Sequence, residues 1–131
     1  MKKLKKKSKS ITYYKKKAWA LFSEKIRRRG ADHNGFNFCV TCGKIAHWKD
    51  LQAGHFIDGR NNSILFDERG VHPQCLACNI FKSGNKVEYF RFMQEKYGDK
   101  VIDELRIQAK QPKTIKIFEY QEMIEKLGDR A

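Results

Sequence analysis

Between Ser10 and Arg29 the apolar residues recur at helical spacing, with Ile11, Tyr14, Ala18, Leu21, Phe22 and Ile26 on one face. Lys15, Lys16 and Lys17, and later Arg27, Arg28 and Arg29, crowd the other faces, and Gly30 is placed to end the helix. The helical period vanishes over residues 31–85, where Gly and Asn are frequent. Short strands are predicted there near Leu51–Ile57 and Val71–Gln74, and a short helix starts near Cys78. Helical spacing then resumes. Lys86–Tyr97 presents Val87, Phe90 and Tyr97 on one face and ends at Gly98. Asp99 is a suitable N-cap for a second helix, to about Gln108, carrying Val101, Ile102 and Leu105. Pro112 breaks the chain, and Thr114 is placed to cap a last helix with Ile117, Tyr120, Ile124 and Leu127, ended by Gly128. The pattern predicts an α+β domain with four parts: a disordered basic tail over 1–9, a basic amphipathic helix over 10–30, a core with its following helices over 31–111, and a C-terminal helix over 112–131.

Charge sharpens this division. The 131-residue chain is one domain's worth and carries a formal net charge of +13. Residues 1–30 hold +12 of it and the other 101 residues only +1. Such an asymmetry points to an arm that contacts a polyanion, with nucleic acid favoured over a solvated tail that only aids solubility; a membrane surface fits less well, since the arm lacks a clean apolar face flanked by Lys. No apolar run approaches the roughly 20 residues that span a bilayer. No apolar segment of a signal peptide follows the lysines at the start. A soluble, cytoplasmic protein without membrane partners is expected.

Four cysteines form two pairs, Cys39–Val–Thr–Cys42 and Cys75–Leu–Ala–Cys78. In an exported protein these would read as two disulfides; without an export signal they read as a metal site. Each pair can grip one ion from a tight knuckle, and two knuckles complete tetrahedral Zn(II). Thirty-two residues separate the pairs, so the metal would close a long loop that has little core of its own. Four thiolates leave no open coordination position, which makes the zinc structural and places any chemistry elsewhere.

The residues between and just after the knuckles are the candidates for that chemistry. Gly54–His55–Phe56 lies on an apolar stretch, Arg60 and Asn61 follow, and Val71–His72–Pro73–Gln74 leads into the second knuckle, with Asn79 directly after it and Lys82 one turn on. On spacing alone His55 reads better as a satisfied structural histidine; Asn79 can also be read as a helix cap, and Arg60 equally as an ordinary loop charge. His72 reads as a structural hydrogen-bonder, His33 and His47 as surface or loop residues, and Asn85 as a turn or N-cap residue.

This segment resembles the HNH (ββα-metal) nucleases that carry a four-cysteine zinc site. The run LQAGHFIDGRNN…VHPQCLACNIFKSGNKVEYFRFMQEKYG is more specifically similar to the phage NinG/Rap family of recombination endonucleases, over roughly residues 36–105. The resemblance implies a small zinc-braced ββα core, flanked by the basic helix and the C-terminal helices, that hydrolyses DNA on branched intermediates such as Holliday junctions or D-loops, in the cytoplasm of a bacterial host. It makes His55 the general base and Asn79 a ligand of a catalytic Mg(II) or Mn(II). Arg60 and Lys82 become candidate phosphate contacts, beside the basic positions of the first helix, and a homodimer would suit symmetric cutting of a four-way junction.

Two departures stand out. Many HNH nucleases carry an acid before the base histidine as a second metal ligand, and here that position is Gly54; His72 and Asp58 are the remaining options. The bracing Asn of the motif falls near Gly70, leaving Asn61 or Asn62 to substitute. Two other function classes fit the same features. A zinc-braced DNA-binding module needs the arm and the zinc but neither His55 nor Asn79. A protein-interaction domain would need no divalent cation beyond zinc.

Overall fold

The computed structural model describes residues 9–128, so the tail expected over 1–9 lies outside the described residues except for Lys9. The first helix, α1, spans Ile11–Arg28. The Ser10 side chain accepts from the Tyr13 N–H at its start, and Gly30, at φ +83, turns the chain away at its end. Its buried residues are Ala18, Phe22 and Ile26; Ile11, expected on the same face, is 45% exposed because the face runs past the edge of the core.

Two antiparallel two-stranded sheets follow. Strands β1 (Phe36–Phe38) and β2 (Ile45–His47) form a hairpin, with the first cysteine knuckle in its loop. Neither strand was foreseen. Their polarity is inverted: Phe36, Phe38 and Ile45 are exposed, while Asn37 is buried and donates from Nδ2 to the carbonyls of Arg27 and Arg29 at the end of α1. Strands β3 (Gln52–His55) and β4 (Val71–Gln74) lie within the two predicted segments and pair Gln52 with Gln74 and His55 with Val71. Between them, α2 (Asn62–Leu65) is a single turn. One wide helical turn, Ala77–Phe81, follows β4 and carries the last cysteine.

Three helices complete the chain. In α3 (Lys86–Lys96) the buried residues are Tyr89 and Met93; Val87, expected inward, is 71% exposed. The helix is phased by the Tyr89 hydroxyl, which donates to the Gly54 carbonyl beneath it. In α4 (Asp99–Ala109) the N-cap is Gly98 and not Asp99, which is the first helical residue and accepts from Gln94 Nε2. The last helix, α5, spans Ile117–Gly128. Thr114 does not cap it; Ile115 is drawn into the core, and Glu119 Oε1 accepts from the Lys116 N–H instead.

The core is divided around the sheet β3–β4. Phe22 and Ile26 of α1 pack with Val71 on one side, and Phe56, Tyr89, Met93, Ile102 and Leu105 pack on the other. Ala18, Ile115 and Tyr120 fasten α5 to α1. The sheet is thus clamped between helices, which holds the end of β3 and the start of the wide turn in fixed relation.

Candidate metal centre and active site

The four cysteines converge. All four Sγ atoms lie within 4.8 Å of one another, and Cys42 Sγ stands 3.7 Å from Cys75 Sγ. A zinc ion with Zn–S bonds of ~2.3 Å sets thiolates ~3.8 Å apart at the corners of a tetrahedron. The spacing therefore suits a zinc ion. The local chain is shaped for thiolates. Gly43, at φ +80, lets its N–H reach back to the Cys39 carbonyl, and the Cys78 N–H and Asn85 Nδ2 donate to Cys75 and Cys78 Sγ. Burial opposes ionisation of Cys39, but hydrogen bonds from the Thr41 hydroxyl and nearby backbone N–H groups outweigh it and bring the thiol down to about 6. Cys42 is pushed up to about 12, by loss of hydration first and then by the three neighbouring thiols. Four thiols this close cannot all ionise without a cation between them.

His55 ends β3, and its ring is stacked on Trp19 of α1 at 5.2 Å. Its Nε2 lies 3.1 Å from the Leu65 carbonyl. A carbonyl only accepts, so Nε2 carries the proton and Nδ1 keeps its lone pair. Burial lowers the His55 pKa, and Arg60 and Lys86 lower it further; the Leu65 carbonyl and Asp58 work against them. The neutral, basic form is thereby favoured near neutral pH.

Asn79 lies in the wide turn and faces the same cleft, about 330 Å³, as His55, Arg60 and Lys86. Its Nδ2 donates to Gln52 Oε1 at 2.6 Å, which turns Oδ1 the other way. A Cβ built on Gly54 would stand 3.1 Å from that Oδ1. A side chain at position 54 would therefore lie beside Asn79 Oδ1, a hard oxygen of the kind that Mg(II) or Mn(II) takes.

Of the two options for a second ligand, Asp58 borders the same cleft as His55 and Asn79, while His72 has both ring nitrogens engaged elsewhere. His72 is buried between two tyrosines: Tyr89 gives its proton to Gly54, so His72 Nδ1 donates to the Tyr89 oxygen and Nε2 accepts from Tyr97. Burial, with Arg29 and Lys96 nearby, pushes its pKa down to about 3. Asp58 is exposed and paired with Lys86 at 3.0 Å. Gly70 brings no side chain to the bracing role, and a Cβ built there would make only ordinary contact with Leu105, at 3.6 Å. Asn61 Nδ2 donates to the Ala109 carbonyl and Asn62 Nδ2 to the Lys113 carbonyl, while the His55 ring is held by the Leu65 carbonyl.

Of the basic candidates, Arg60 borders the cleft and lies over the Trp19 ring at 4.5 Å. Lys82 is exposed and does not line the cleft. Lys15 donates to Asn62 Oδ1, and Lys16 and Lys17 are exposed. Lys15, Lys16 and Arg60 rim an apolar groove of about 570 Å³ between α1 and the segment before α5, floored by Trp19 and Leu65. Arg27 and Arg28 lie over Trp48, and Arg29 donates to the Glu68 and Val71 carbonyls, where it ties α1 to β4. Sequence reasoning missed three contributors. Trp19 reads as one more apolar helix residue, and Gln52 as one more strand position. Lys86, whose Nζ donates to the carbonyls of His55 and Phe56, reads as a helix-start charge.

The comparisons with known proteins agree with one another. Residues 1–130 match the family model described as bacteriophage lambda NinG protein. Protein ninG of Salmonella phage P22 is 34% identical over 128 residues, which cover 90% of this chain and 59% of that protein. Protein ninG of Escherichia phage 933W is 34% identical and that of Escherichia phage lambda 33%, each over 97 residues and 72% of this chain, covering 45% and 44% of those proteins. The chain thus spans about half the length of the curated relatives it matches. No solved structure matches it. By its sequence, and with a four-cysteine centre braced between two small sheets, the chain belongs to the phage NinG family.

Proposed function

We propose that this chain is a divalent-metal-dependent DNA endonuclease whose HNH-like (ββα-metal) unit consists of β3, β4 and the wide turn Ala77–Phe81. Branched recombination intermediates, Holliday junctions or D-loops, are its intended substrates. The observation that carries this reading is His55, whose Nε2 proton is committed to the Leu65 carbonyl and whose Nδ1 is left basic beside a cleft it shares with Asn79. In this reading Nδ1 removes a proton from water as the water oxygen forms a bond to phosphorus and one P–O ester bond breaks. Asn79 Oδ1 would hold Mg(II) or Mn(II), which supplies charge to stabilise the phosphate in the transition state and the leaving oxygen. Arg60, on the rim, suits the remaining phosphate oxygens, while the three N–H groups of Lys86 are engaged by the His55 and Phe56 carbonyls and Asp58. Lys86 also fixes the backbone on either side of the base. Zinc stays structural.

The basic rim of the Trp19 groove supports a path for one DNA strand toward His55, since Lys15 and Lys16 line it and suit a phosphate backbone. Replacing both lysines with alanine is expected to weaken DNA binding and reduce the slope of log K against log salt by about 1–2; an unchanged slope in salt-titrated anisotropy would remove them from the interface. Among the described residues no helix is long and apolar enough to cross a membrane, and we place the activity in the host cytoplasm. A homodimer is the simplest assembly for symmetric cuts, and mass measurements with and without junction DNA test it.

The function is tested with zinc-loaded protein and labelled four-way junction, D-loop and linear duplex, each in Mg(II) or Mn(II). Faster cutting of branched than of linear DNA is expected. Equal rates would remove the branch preference and leave the nuclease. Tight binding without cutting would favour a zinc-braced DNA-binding module.

A further inference from the structure

Gln74 closes β4, is fully buried, and has been given no role so far. Its Nε2 donates to Thr41 Oγ1 at 3.2 Å and to the Gly84 carbonyl at 2.9 Å. Because the Gly84 carbonyl only accepts, the amide cannot be reversed without setting two oxygens face to face. The orientation of Oε1 is therefore fixed, and that oxygen is buried with no hydrogen-bond partner among the described residues. A buried acceptor left unpaired is costly and calls for an explanation.

What Oε1 faces supplies one. A Cβ built on Gly54 would fall 1.9 Å from Gln74 Oε1 and 3.1 Å from Asn79 Oδ1. Gln74 Oε1 thus fills the space that a side chain at position 54 would take, with Asn79 Oδ1 beside it. Each amide nitrogen is turned away, Asn79 toward Gln52 and Gln74 toward Thr41 and Gly84. Acceptors side by side with no protein donor between them attract a cation, and hard divalent ions take amide oxygens at ~2.0–2.6 Å.

We infer that Gln74 Oε1 is the second protein ligand of the divalent cation, paired with Asn79 Oδ1 and standing where other HNH sites use an acid before the base histidine. The inference rests on the metal site proposed above. Gly54 is then required by its neighbour, since any side chain there would displace the Gln74 amide. Thr41 links the ligand to the structural centre: its hydroxyl accepts from Gln74 and lies 3.2 Å from Cys39 Sγ, so the zinc knuckle positions Oε1. Two neutral ligands leave most of the ion's charge available to a phosphate, and the site should hold metal weakly until DNA is bound.

The test is Mn(II) titrated into zinc-loaded full chain, with and without duplex DNA, free Mn(II) being read by electron paramagnetic resonance. Gln74→Leu should weaken Mn(II) binding by about tenfold or more. Gly54→Asp combined with Gln74→Ala, which clears the Cδ that would stand 2.7 Å from the new Cβ, should restore it, because the carboxylate then starts beside Asn79 Oδ1. Wild-type Mn(II) affinity in a Gln74→Leu protein that keeps its zinc would overturn the inference and leave Oε1 with a bridging water only. If Gln74→Leu fails to hold zinc, Gln74→Glu decides: tighter Mn(II) binding supports the ligand role, and unchanged binding refutes it. Asn79→Ala separates the two levels. Loss of binding in Asn79→Ala but not in Gln74→Leu sinks only the Gln74 assignment, whereas no Mn(II) binding by wild type, even with DNA, removes the metal site itself.

Discussion

His55→Ala should lower the single-turnover rate of DNA cutting by about 10²–10⁴-fold, the range a positioned general base contributes. The fold should survive, because the ring is partly exposed at the end of β3 and the sheet's backbone pairing does not depend on it. Zinc content and DNA affinity should therefore stay close to wild type, which separates lost chemistry from lost structure. The pH profile carries a second signature. Burial, Arg60 and Lys86 hold the His55 pKa below its ordinary 6.5. The active form is the neutral one, so kcat/KM should be at full value at pH 7 and fall on acidification, with a midpoint below 6.5. A midpoint above 6.5, or a limb that persists in His55→Ala, would assign the titration to another group.

Removing the zinc should have an even broader effect. Structural zinc sites contribute about 10–16 kcal/mol of binding free energy, against a total stability of about 5–15 kcal/mol for an ordinary domain. Only short pieces of secondary structure, β1 to β4, α2, two 3-10 turns and the wide turn, lie between α1 and α3. The segment is fastened by the cluster of Cys39, Leu51, Cys75 and Cys78 and by the Val40 N–H on the Pro73 carbonyl. Cys75→Ser, or stripping with a strong chelator, should release the β1–β2 loop, free β4 from its anchor and expose the amides of residues 36–85 to hydrogen exchange. α1 and α5, which pack on each other through Ala18, Ile115 and Tyr120, should lose less protection. An unchanged exchange pattern after zinc loss would show that the core is self-sufficient.

The cysteine pairs and the strands β3 and β4 were more legible than the packing around them. The two cysteine pairs, the strand leading to His55 and the strand leading to the second knuckle stand out because spacing and residue type both point to them. The hairpin β1–β2 does not. Its phenylalanines face out while Asn37 is buried to satisfy the end of α1, which inverts the usual alternation. Helix phase misled at Val87, because α3 is oriented by a polar contact, Tyr89 with Gly54, that no apolar count contains. The mismatch with the generic motif at Gly54 was visible in the sequence. Its compensation was not, since Gln74 is twenty positions away and reads as an ordinary strand residue until β3 and β4 are paired. Trp19 escaped notice for a similar reason: only the packing of α1 across β3 brings it onto the base.

The central claim is that a divalent cation and a neutral His55 act together on a DNA phosphate, and the most direct measurement is single-turnover cutting of a labelled four-way junction by zinc-loaded protein with and without added Mg(II). The account predicts cutting only with Mg(II), restored when Mg(II) is returned after its removal, and lost in His55→Ala. Cutting that continues without Mg(II), or a junction bound tightly and left intact in both Mg(II) and Mn(II), would contradict it.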